Sequence, residues 1–147
     1  MATPERGTAP KPFVFVIMPF DKTFDDIYEF GIKGAAADAS AYAERTSEQM
    51  FDDSILDRVV NQISKADVVV ADMTGRNPNV YYEAGMAAAW GKAWIVIAQA
   101  NQDLTFDVEQ VRFILYANRI GAAEQFEDRL RRAIEETLGN PKRAKNE

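Results

Sequence analysis

Three continuous apolar runs constrain this chain more than any other feature. They are "FVFVIMPF" from Phe13 to Phe20, "DVVVADM" from Asp67 to Met73, and "AWIVIAQ" from Ala93 to Gln99. A strand with one wet face alternates apolar with polar residues. Runs that do not alternate suit strands covered on both faces, the environment of a central strand in a parallel sheet. Two further segments read as strands: "RFILYA" from Arg112, and the short "AYAER" from Ala41.

Helical spacing fills the intervals. Between Asp21 and Ala39, residues Phe24, Ile27, Tyr28 and Ile32 recur three to four apart, which predicts one amphipathic helix weakened by glycines near its end. A second helix, capped by Asp52 or Asp53, carries Ile55, Leu56, Val59, Val60 and Ile63 on one face. A third runs from Val80 to Trp90, and "EQFEDRLRRAIEETL" forms the closing helix, ended by Gly139. Strand and helix alternate throughout, so the expected fold is α/β: a flavodoxin-like open parallel five-stranded sheet with helices on both faces, in a single domain. Residues 1–12 read as a disordered lead-in, 13–138 as the α/β domain, and 139–147 as a polar tail.

Composition narrows function by exclusion. The 23 acidic residues outnumber the 17 basic ones, which opposes phosphate contacts and argues against nucleic acid as a partner. No window is apolar enough to span a membrane, and the N-terminus lacks the apolar segment of a signal peptide, so no membrane partner and a cytoplasmic address are expected. With neither Cys nor His, thiolate nucleophiles, Ser-His-Asp triads and most transition-metal sites are excluded. No metal or cofactor is expected. Any catalysis must use carboxylates, Tyr, Lys, Ser/Thr, backbone amides or a borrowed cofactor.

Ligands of such sheets bind beyond the carboxyl ends of the strands. That rule selects the loops Met18 to Thr23, Asp72 to Asn79 and Gln99 to Val108. The first lacks the glycines of a dinucleotide or Walker loop. Asp21, Lys22 and Thr23 open a helix, where they either receive a phosphate or simply cap it. In the second loop, Asp72 ends its strand with the carboxylate expected to point into the crevice. Thr74 and Gly75 follow, then Asn77-Pro78 as cap and first helical residue. Glu83 lies about one turn inside the third helix, four residues after Asn79 and on its face. A solvent-facing Glu would have polar residues three and four positions on, but Met86 and Ala87 stand there. Asp72, Asn79 and Glu83 can therefore converge on one pocket, gripping a sugar's hydroxyls and attacking or stabilising its anomeric carbon. The competing structural roles are a turn cap for Asp72 and turn formation for Asn77 and Asn79. Phe106 and Arg112 bracket the third loop, either covering a bound base or packing the sheet edge.

The segments "FVIMPF", "ADVVVADMTGRNPNVYYEAGMAAAWGK" and "TFDVEQVRFILY", spanning roughly Phe13 to Tyr116, resemble the nucleoside 2-deoxyribosyltransferase-like superfamily, in particular its bacterial TIR-like, nucleotide-binding branch. The resemblance implies a flavodoxin-like domain acting on N-glycosidic bonds of a small-molecule nucleoside, nucleotide or NAD-type substrate. It implies that Glu83, in "YYEAG", is the nucleophile and that Asp72 holds the sugar or assists the leaving base. It also implies that Pro19, Phe20 and Asp21 border the base pocket; Thr74, Gly75, Asn77 and Asn79 are the other residues expected to bind substrate. "EAG" replaces the commoner "ELG", and no counterpart is found for the C-terminal residues that transferases lend to a neighbouring subunit, which favours hydrolysis over transfer. Relatives of this kind are commonly multimeric, implying a homo-oligomer. The alternatives are a nucleotide-sensing module without turnover, serving a regulatory or defence system, and an interaction domain using Tyr81, Tyr82 and Trp90.

Overall fold

A computed structural model of the chain describes residues 10–45, 55–100, 112–117 and 121–139. The strands are β1 (Phe13–Ile17), β2 (Tyr42–Arg45), β3 (Val68–Asp72), β4 (Trp94–Gln99) and β5 (Arg112–Tyr116). They form one sheet in the order β2-β1-β3-β4-β5, and every neighbouring pair is parallel. The expected flavodoxin-like architecture is thus observed. The short strand expected at "AYAER" is β2, an edge strand with exposed and half-buried residues in alternation.

Every residue of β1 and β3 is buried, as continuous apolar runs require. Their side chains divide by the two-residue period of a strand. Val14, Val16, Val68, Val70, Ile95, Ile97 and Ile114 face one layer; Phe13, Phe15, Ile17, Val69, Ala71, Met73 and Val96 face the other. The second layer is closed by helices α2 (Ile55–Lys65) and α3 (Pro78–Ala89), through Val59, Ile63, Val80, Ala84 and Ala87. Leu56, expected on the buried face of α2, is 47% exposed, whereas Val59 and Ile63 of that stripe are fully buried.

The first layer is closed by α4 (Ala123–Gly139) and by the segment after β1. That segment is not the single helix expected from its spacing. It runs as a 3-10 turn (Lys22–Phe24), a π-helical stretch (Ile27–Ile32) and the short α1 (Lys33–Asp38). Its glycines serve close approach and not termination. A Cβ on Gly31 would lie 2.9 Å from Cε2 of Phe126, and one on Gly34 would lie 2.9 Å from Oε2 of Glu127. Phe126 is itself buried and packs its ring 5.1 Å from that of Tyr116, so it has little room to yield. Gly31→Val is therefore expected to cost roughly 1–3 kcal/mol by overpacking, read as a lower urea midpoint. An unchanged midpoint would mean that α4 can move away freely.

Asp52, Asp53 and Phe106, most of the loop Gln99 to Val108, the lead-in 1–9 and the tail from 140 lie outside the described residues, as does the side chain of Arg112. No helix among the described residues is long and apolar enough to cross a membrane.

Candidate functional site

Strand order reverses between β1 and β3, since the chain passes from β1 outward to β2 and then returns to β3 on the other side. The diverging connections leave a crevice at the carboxyl ends of those two strands. A cleft of ≈ 510 Å³ lies there, lined by Met18, Pro19, Phe20, Asp21, Phe24, Thr74, Gly75, Asn77, Pro78, Asn79, Val80 and Glu83. All the expected site residues except Asp72 are in this lining.

Local chemistry sets each wall. After β1 the chain passes Pro19 and Phe20, an aromatic 49% exposed at the cleft. Asp21 then caps the 3-10 turn, accepting 2.9 Å hydrogen bonds from both the amide and the hydroxyl of Thr23. Those bonds hold its carboxyl below the usual carboxylate range. After β3, Thr74 Oγ1 accepts from the Gln99 amide at 2.9 Å and fastens the loop to the end of β4. Gly75 (φ 77°) and Arg76 (φ 53°) take left-handed conformations that reverse the chain. Asn77 Oδ1 accepts from the amides of Asn79 and Val80 at 2.9 and 3.1 Å, and Pro78 is the first helical residue of α3, as the sequence suggested.

Glu83 stands on the flank of the buried stripe formed by Val80, Ala84 and Ala87, so its carboxylate is half-buried at the cleft wall. It has no hydrogen-bond or ion-pair partner among the described residues. Burial raises its pKa from an ordinary 4.5 to about 7, with no neighbouring charge contributing. The stability consequence has a definite sign. Between pH 4.5 and about 7 the folded chain keeps a proton that the unfolded chain loses, so stability falls as pH rises through this window. Glu83→Gln keeps the shape and removes the ionisation. Discounting for the solvent that reaches the carboxylate, we expect the variant to match wild type at pH 4 and to exceed it by about 1–2 kcal/mol at pH 8. Urea titrations at the two pH values test this, and equal stability at pH 8 would place the carboxylate in free solvent.

Asp72 requires a correction. It was expected to point into the crevice, but it belongs to the strand series Val68, Val70, Asp72 and so faces the layer of α1 and α4, opposite to α3. It is fully buried. Its Oδ1 accepts from the Thr74 amide at 2.9 Å, and its Oδ2 accepts from the Tyr116 hydroxyl at 2.6 Å. Burial raises its pKa, against the lowering effect of those bonds. Tyr116 is raised in turn, first by burial and then by the Asp72 charge. The pair was not foreseen, because the bond crosses β4 and joins residues 44 apart in sequence. Phe24 and Val80 in the cleft wall were also missed as site residues, though Phe24 opens the apolar series after β1; Met18 and Pro78 fall within the two loops that the sequence selected.

No protein-family model and no curated protein matches the chain. Among solved structures it is similar to the constitutive lysine decarboxylase of E. coli, with a TM-score of 0.51 and 13% identity over 88% of this chain. The chain spans only 18% of that enzyme's length. At such identity the likeness concerns the fold alone.

Proposed function

We propose that the protein cleaves an N-glycosidic bond of a nucleoside- or nucleotide-type substrate, with Glu83 as nucleophile, in the manner of nucleoside 2-deoxyribosyltransferase-like enzymes. The observation that carries this is the half-buried Glu83 carboxylate, without a partner among the described residues, in a cleft at the strand-order reversal. The cleft volume of ≈ 510 Å³ falls within the range of small-molecule sites. Its apolar wall of Met18, Phe20, Phe24 and Val80 suits a flat base and a sugar face.

In the proposed reaction a carboxylate oxygen of Glu83 attacks the anomeric carbon. The bond to the base nitrogen breaks and its electron pair leaves with the base. Water then attacks the glycosyl ester, releasing the sugar and returning the carboxylate, and the proton it sheds balances the one a neutral base takes up. Asn79, which lines the cleft four residues before Glu83 on the same helix face, holds a sugar hydroxyl in this proposal. Asp72 acts in this scheme by bracing the loop of Thr74, with its hydrogen bonds directed away from substrate. A cytoplasmic setting and self-association belong to the same proposal.

The test is base release from a panel of nucleosides, their monophosphates and NAD, followed by chromatography, with Glu83→Gln alongside. Release that the variant loses supports the enzyme. Intact binding without release, equal in both proteins, would instead make the domain a sensor.

A further inference from the structure

The cleft has an unusual charge inventory. Its charged lining residues are Asp21 and Glu83, both acidic, and no Lys or Arg lines it among the described residues. The cations nearest in sequence, Lys22 and Arg76, are outside the lining. Arg45, which reaches the Sδ of Met18 at 3.6 Å, is already paired with Asp25 at 2.9 Å and stacked 4.2 Å over the Tyr28 ring.

Phosphate can also be held by free backbone amides where a helix begins. Both helical segments that open onto this cleft have spent amides of their first turn internally. Asn77 takes the amides of Asn79 and Val80, and Asp21 takes that of Thr23. A phosphate against this wall would meet two carboxylates and no free donor of those sets. The same inventory bears on the leaving group. Asp21 is held ionised by Thr23, and Glu83 is the nucleophile, so neither is left to protonate a departing base.

From this we infer that the site selects its substrate by charge: it takes an unphosphorylated nucleoside, and favours one whose base is already a cation over one whose base is neutral. The inference rests on the N-glycosidase proposal above for its chemistry, though not for its binding order. A pyridinium nucleoside answers both features. Its positive ring is attracted to the acidic wall, and it departs as a neutral base without needing a proton. The bond to the sugar breaks with its electron pair passing to the ring nitrogen, which discharges the cation.

The experiment compares nicotinamide riboside with its 5′-monophosphate, and uridine with its 5′-monophosphate, by equilibrium binding and by base release. Each nucleoside is expected to bind on the order of tenfold better than its monophosphate, with nicotinamide riboside ahead of uridine. Raising the salt should compress the ranking. Asn79→Lys, a change at an exposed cleft position, should shift the ratio about fivefold towards the monophosphates. A monophosphate that binds as well as its nucleoside, or a ratio that Asn79→Lys leaves unmoved, overturns the charge inference, and base release would then still support the glycosidase. Conversely, the expected binding order without release from any compound sustains the inference and removes the glycosidase. Failure of all four compounds to bind overturns both.

Discussion

Glu83→Gln is expected to lower base release by about a thousandfold or more, because it removes the attacking oxygen charge and leaves the cleft's shape intact. Substrate affinity should change little, since Gln has the same volume and the apolar wall is untouched. For a nucleoside with a cationic base, some loss of affinity should accompany the loss of charge. The same substitution should stabilise the fold above pH 7, as argued from the burial of the carboxylate. Loss of turnover together with a gain in stability is hard to produce by misfolding. The pH profile supplies an independent check. If the ionised form attacks, kcat/KM should rise with pH and level off above about 7. A profile that falls through that range would instead make Glu83 a proton donor. Single-turnover base release across pH 5 to 9 separates the two.

The second large effect concerns stability. Asp72→Ala leaves the Tyr116 hydroxyl and the Thr74 amide without the carboxylate that both use, in a fully buried position. Each orphaned group costs roughly 1–3 kcal/mol, so a loss of about 2–5 kcal/mol is expected in urea unfolding at neutral pH. Tyr116→Phe alone should cost less, because one oxygen of Asp72 stays bonded to Thr74. Combining the two substitutions should recover part of the loss, since the orphaned hydroxyl is then gone; a coupling of about 0.5–3 kcal/mol is typical for direct partners. Strict additivity would mean that the 2.6 Å bond carries no energy. Asp72→Asn distinguishes a structural role from a catalytic one. If it retained stability and lost base release a thousandfold, Asp72 would have to be returned to the reacting groups.

Much of the fold was legible in the sequence because strand burial leaves a direct mark. "FVFVI", "VVVAD" and "WIVIAQ" lack alternation because both faces are covered, and each is a strand of the parallel sheet. Asn77 and Pro78 announced the start of α3 because capping is a local hydrogen-bonding problem, solved within four residues. The broken helix after β1 was hidden for the opposite reason. Gly31 and Gly34 look like helix breakers in one dimension, but their function is to admit Phe126 and Glu127 of a helix almost a hundred residues away.

The site divides along the same line. By itself the sequence determined that a carboxylate would sit on the flank of α3, because the apolar spacing around Glu83 leaves it no solvent stripe to join. It also determined that Asn79 would share its face, since four residues make one helical turn. Only the tertiary structure decided what Asp72 does. A strand-end residue points to one side of the sheet or the other, and a shift of one residue in where the strand ends reverses the choice. Tyr116, brought across β4 by the parallel register, settles it by donating to Asp72 on the side away from Glu83. Helical phase is set by local geometry and can be read along the chain. The partner of a buried carboxylate is set by which strands lie side by side, and only the folded sheet brings those together.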